Sequence, residues 1–147
     1  MVQNATQAPN PRESYPGKVL GLPPSGRGSL ATWQSRIAAL IIDWAACMAV
    51  AGGLFGSAVL TGGGWRAWMI LTVFFVESTL LSALAGGSFG QLVSKIGIAR
   101  TDGRQLGFLR AVVRAALVCL VIPALIVGPE RRGLHDVLVG TVVVRRR

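Results

Sequence analysis

The sequence predicts an all-α membrane protein: two full transmembrane helices, a third short apolar helix that re-enters or spans, and a small cytoplasmic β element. Three observations carry that prediction. Of the 147 residues, 52% are hydrophobic and 14% charged, a more apolar and less charged balance than soluble domains of this size usually show. Ile37 to Leu60 holds no ionisable residue apart from Asp43 and the Cys47 thiol, and at ~1.5 Å per helical residue it crosses a ~30 Å hydrocarbon core. The formal net charge is +9, yet the basic residues fall in three clusters outside the apolar runs. Membrane proteins use Arg and Lys in this way to set orientation. The pattern argues against a nucleic-acid partner and for the bilayer, with anionic lipid headgroups at the basic clusters.

Residues 1–32 include Pro9, Pro11, Pro16, Pro23 and Pro24 among Gly, Ser, Asn and Gln. Too little apolar surface is available there to offset chain ordering, so a disordered cytoplasmic tail is expected. The membrane domain follows over 33–144, and 145–147 form a basic end. Helix one is expected over about 32–60, opened by Trp33 at headgroup level. Its small residues, including Gly52-x-x-x-Gly56, suit close approach of a second helix. Thr61-Gly62-Gly63-Gly64 makes a turn, and helix two is expected over 65–85, anchored by Trp65 and Trp68 and ended by Gly86-Gly87. The first apolar run starts too late and runs too long for a signal peptide, so it is expected to stay in the mature protein.

Between Gly90 and Gly107 the chain is polar and basic. Lys95–Arg100 reads as a strand entering a turn at Thr101–Arg104, and Val139–Val144 also has strong β character, so the two are expected to pair. The third apolar segment, about 108–128, is the short one. Only 15 residues separate Arg114 from Glu130, at most ~22 Å of helix, with Pro123 inside. Charge topology decides how it is read. Arg12, Lys18, Arg27 and Arg36 lie in the N-terminal stretch up to the opening of helix one, Lys95, Arg100, Arg104, Arg110 and Arg114 lie in the loop after helix two, and the turn between the two helices carries only Arg66. Both termini are therefore placed in the cytoplasm. A full third crossing would put Arg131, Arg132 and Arg145–Arg147 outside. Two spans plus a re-entrant or shallow segment is the favoured arrangement, and a true third span is the alternative.

Trp33-x-x-Arg36 opens helix one, Asp43 lies within it, and Gly133-Leu134-His135-Asp136 precedes Gly140-Thr141-Val142-Val143-Val144. From about Trp33 to Val144, including Gly86-Gly87-Ser88-Phe89-Gly90 and Leu117–Pro123, the chain resembles the RDD family of small bacterial membrane proteins. That family is named for one arginine and two aspartates, here matched by Arg36, Asp43 and Asp136. The pattern is most similar to actinobacterial versions, and 13 Arg against 2 Lys suits a GC-rich genome. The resemblance implies a multi-pass protein of the bacterial plasma (inner) membrane with a suspected role in transport, cation/proton exchange included. Glu77 is outside the signature.

An acid inside a span costs roughly 2.5–3.5 kcal/mol on insertion scales, so each needs a partner or a purpose. Arg36 and Asp43 are two turns apart and share a helix face. With helices one and two antiparallel, Glu77 lies at nearly the depth of Asp43, and together they form a candidate intramembrane ion/proton site. Two carboxylates at one depth are what exchange of a proton for Na⁺ or K⁺ requires. The competing expectation is structural: Arg110 or Arg114 reaching Asp43, and Arg36 pairing with Asp136, would clamp the cytoplasmic helix ends. Cys47 and Cys119 lack ligand spacing, and His135-Asp136 is accompanied by no nucleophile, metal set or phosphate loop. No cofactor, no metal and no enzymatic activity are expected. Two or three short spans enclose no polar pathway alone, so a homo-oligomer or a larger membrane partner is expected.

Overall fold

The computed structural model describes residues 14–120, 128 and 131–147. Thr32 starts the first long helix, its hydroxyl accepting the Ser35 amide at 3.3 Å, a conventional N-cap for otherwise unpaired helix-end donors. Helix α1 then runs Trp33–Phe55. It stops five residues short of the expected Leu60 because Gly56 adopts φ +87°, a conformation that residues with a Cβ disfavour. A short helix α2, Ala58–Thr61, fills the turn, and Leu60 packs on Gly52, where a Cβ would stand 3.3 Å from the nearest leucine methyl. The two glycines read as a helix-packing motif thus serve the hairpin itself: Gly52 admits α2 and Gly56 makes the break.

Helix α3, Trp65–Ala85, matches its expected range and packs on α1 as a helical hairpin, with the Trp44 and Phe74 rings stacked at 6.0 Å. The buried residues of α1 are Ala39, Asp43, Cys47 and Ala51, one stripe at four-residue spacing. Elsewhere both helices turn large apolar side chains outward, Leu54 at 70% exposure and Leu84 at 83%. Only 22% of each apolar window is buried, which separates these helices from the core helices of a soluble protein. Both are long and apolar enough to cross a membrane.

After α3 come a one-turn helix α4, Phe89–Val93, strand β1, Ile96–Arg100, and helix α5, Phe108–Cys119, which packs on α3. Helix α6, Leu134–Val139, and strand β2, Thr141–Arg145, close the chain. Strands β1 and β2 pair antiparallel from Ile96↔Arg145 to Arg100↔Thr141. The expected sheet is therefore present, shifted by two residues at its second strand: Val139 ends a helix, and Gly140, at φ +71°, makes the corner. The second half of the third apolar segment, with Pro123, lies outside the described residues.

Order begins earlier than residue 33. Residues 28–31 fall in the stretch read as a tail, yet they line the free edge of β2. The Ala31 amide donates to the Val143 carbonyl at 2.9 Å, and the Gly28 amide to the Arg145 carbonyl at 2.8 Å. The physical reason is local. An unpaired strand edge seeks donors and acceptors, and Leu30 and Ala31 are apolar enough to be buried there, Ala31 beside Ala39, Ile96 and Val143.

Candidate functional site

Asp136 is the most enclosed ionisable residue described, with no exposed surface. Gly133 ends extended backbone and lets α6 begin at Leu134, which turns Asp136 into the molecule. There its Oδ1 accepts from Arg114 Nε at 3.0 Å and from the Thr141 hydroxyl at 3.1 Å. Its Oδ2 faces His135 Nε2 at 3.4 Å and Arg36 NH1 at 3.8 Å. One carboxylate thereby joins α1, α5, α6 and β2. Burial by itself would raise the Asp136 carboxyl, but the charges of Arg114, His135 and Arg36 outweigh it and hold the group below the usual carboxylate range. Two further arginines hold the backbone of this corner. Arg110 donates to the Val139 carbonyl at 2.7 Å, and Arg132 donates to the Thr141 carbonyl at 2.7 and 3.0 Å.

The acids of the two long helices form a second constellation. Asp43, 3% exposed, accepts from the Ser88 hydroxyl at 2.6 Å and the Gly90 amide at 2.5 Å. Glu77 accepts the neighbouring Phe89 amide at 2.6 Å. The Ser88 amide goes to Gln91 Oε1 at 3.1 Å. Consecutive backbone donors at the start of α4 are thus taken by one acid from each long helix, in a region where an unmade hydrogen bond is costly. Gly90 is required here because a Cβ would run into the Ala39 carbonyl and stand 2.9 Å from Asp43 Cγ. The Glu77 Oε2 atom is buried without a hydrogen-bond partner among the described residues.

The structure brings together Arg36 with Asp136, and Asp43 with Glu77. It does not bring Arg110 or Arg114 onto Asp43. Arg114 is spent on Asp136 and Arg110 on the end of α6, while Asp43 takes uncharged donors from the glycine-bracketed loop. Thr141 and Arg132 were not singled out in the sequence, where a threonine at the head of a valine run reads only as strand. Arg146 was counted merely as tail charge, yet it donates to the Ala85 carbonyl at 2.5 Å. It reaches the end of α3 by passing over Gly97, where a Cβ would stand 3.1 Å from Arg146 Cδ. Cys47 and Cys119 are free thiols, and among the described residues no three His, Cys, Asp or Glu side chains are grouped to hold a metal.

No curated protein and no solved structure matches this chain. The RDD family model matches residues 30–140, a stretch that contains Arg36, Asp43 and Asp136 and both long apolar helices. The chain is a membrane protein and belongs to the RDD family.

Proposed function

We propose that the protein is a non-catalytic component of the bacterial plasma membrane that works in an oligomer or beside a larger membrane partner. In this reading the arginine and the two aspartates of the signature clamp the cytoplasmic helix ends. The observation that carries it is Asp136, fully buried and joined at once to Arg114, Arg36, His135 and Thr141. Breaking such a pair leaves uncompensated buried charge, so the arrangement enforces one packing of four segments. Asp43 does the same for α4, with neutral donors in place of arginines. In this reading the basic residues around the clamp lie on the cytoplasmic side with both termini.

The second reading is a carrier that exchanges a monovalent cation for protons through Asp43 and Glu77. It draws on the convergence of the two acids on adjacent amides and on the unpartnered Glu77 Oε2. It is the weaker reading because three of the four carboxylate oxygens are already engaged by the Ser88 hydroxyl and the Phe89 and Gly90 amides, which accounts for both acids without an ion. Asp43→Asn separates the two. Under the clamp reading the variant loses folded protein or assembly on size exclusion. Full folding and assembly, with Na⁺- or K⁺-dependent proton flux in wild-type proteoliposomes abolished in the variant, would replace the clamp with the carrier.

A further inference from the structure

Basic residues far apart in the chain meet at one end of the β1–β2 sheet. The Arg146 amide donates to the Lys95 carbonyl at 2.8 Å, one step past the Ile96↔Arg145 pair. On the other edge of β2 the Gly28 amide donates to the Arg145 carbonyl at 2.8 Å, which brings Arg27 alongside. Arg27, Lys95, Arg145 and Arg146 are all exposed. Among the described residues none of the four enters an ion pair. Like charges on facing strands repel, so an anion bound among them offsets a cost that the fold otherwise carries.

Arg146 decides where that anion sits. Its side chain lies in a slot left by Gly86 and Gly97, where a Cβ would stand 2.9 Å from Nη2 and 2.6 Å from Nε. From there Nη2 donates to the Ala85 carbonyl at the end of α3, a helix terminus whose partial negative charge favours a cation. The other guanidinium donors make no hydrogen bond among the described residues. Because α3 is long and apolar enough to cross a membrane, its last turn is where such a helix leaves hydrocarbon for headgroups. In that turn Leu84 is 83% exposed, and Leu80, one turn deeper, is exposed on the same face. Fixed cations therefore adjoin an apolar strip. A free phosphate or a nucleic acid would satisfy the cations and gain nothing from the leucines. A zwitterionic lipid would cover the leucines but bring no net charge. We propose that this corner binds an anionic phospholipid, its phosphodiester at Arg146 and Lys95 and an acyl chain along Leu84 and Leu80. The site needs only that α3 ends at a lipid–water boundary, on whichever side of the membrane that is.

The test titrates the purified full-length chain in detergent with dioleoyl phosphatidylglycerol and, separately, with dioleoyl phosphatidylcholine, and counts bound lipid by native mass spectrometry. The anionic lipid is expected to bind about tenfold more tightly than the zwitterionic one. Lys95→Gln changes an exposed side chain with no ion pair among the described residues. It is expected to weaken the anionic lipid about fivefold, the share of one surface cation. Arg146→Gln should weaken it about tenfold, as loss of a charge-assisted contact does, and leave the zwitterionic lipid unchanged. Arg66→Gln, at the opposite end of α3, should change neither. Equal affinity for the two lipids would overturn the proposal, as would a preference that persists in both Lys95→Gln and Arg146→Gln. An equal loss in Arg66→Gln would also overturn it, by reducing the effect to net charge. So would displacement of the lipid by glycerol phosphate or a single-stranded oligonucleotide at equal concentration, which would show that the leucines contribute nothing. Where Arg146→Gln fails to fold, Lys95→Gln decides alone, and unchanged binding there overturns the proposal.

Discussion

Replacing Asp136 by Asn is the sharpest test of what the signature aspartate does. Asn keeps one carbonyl oxygen, enough for the Arg114 and Thr141 contacts now at 3.0 and 3.1 Å. Its amide nitrogen then stands where Oδ2 faces His135 Nε2 at 3.4 Å and Arg36 NH1 at 3.8 Å, which sets donors against donors. The substitution also removes, among the described residues, the only carboxylate ion-paired with two arginines whose side chains are 4% and 13% exposed. Breaking a buried pair on one side costs roughly 3–5 kcal/mol, and that loss is expected here. Equilibrium unfolding of the full chain in mixed micelles, by titration with SDS, measures it. Asp102→Asn is the internal control. Asp102 pairs with Arg100 at the surface, where screening and side-chain entropy cancel most of the gain, and its variant should coincide with wild type. An Asp136→Asn loss no larger than that of Asp102→Asn would refute the clamp argument outright.

Four other predictions share that assay. Because the Asp136 carboxyl titrates below its unfolded value of about 3.9, its contribution is complete above that pH and disappears as pH falls through the folded value. The stability gap between wild type and Asp136→Asn should therefore be flat near neutrality and close only below about pH 4, and a gap that closes between pH 5 and 7 would contradict it. Gly90→Ala drives a methyl into the Ala39 carbonyl and Asp43, and should destabilise by about 1–3 kcal/mol, or more where backbone cannot yield. Gly56→Ala meets nothing within 4 Å, so only its backbone, φ +87° and ψ 163°, counts against it, about 1–3 kcal/mol in this essentially Gly-only region. By contrast Gly53→Ala, inside α1 and equally open, should stabilise by roughly 0.5–1 kcal/mol.

Composition and periodicity were enough to mark two candidate spans, their tryptophan ends and the glycine stop of the second, because lipid exposure acts on every residue of a helix separately. An uninterrupted apolar run is therefore its own signal, and helix α3 could be bounded at both ends from Trp65 and Gly86. The β pairing was legible for a similar reason, since β-branched runs carry local preference, although Val139 was lost to α6 by the corner that Gly140 makes. The choice of partner for each charge was set by the tertiary structure. Arg114 lies within reach of Asp43 in any simple drawing of three packed helices, yet it belongs to Asp136, because α6 places that fully buried carboxylate against the Arg114 Nε at 3.0 Å. Asp43, one helix face away, was left to the Ser88 hydroxyl and the Gly90 amide. Residues 28–31 were decided in the same way. Their own composition forms nothing, and only the open edge of β2, formed from residues more than a hundred positions later, gives their backbone groups partners. The sequence by itself marked the two segments that are long and apolar enough to cross a membrane. The pairing of buried charges and strand edges depends on distances between segments far apart in the chain, so tertiary packing determined it.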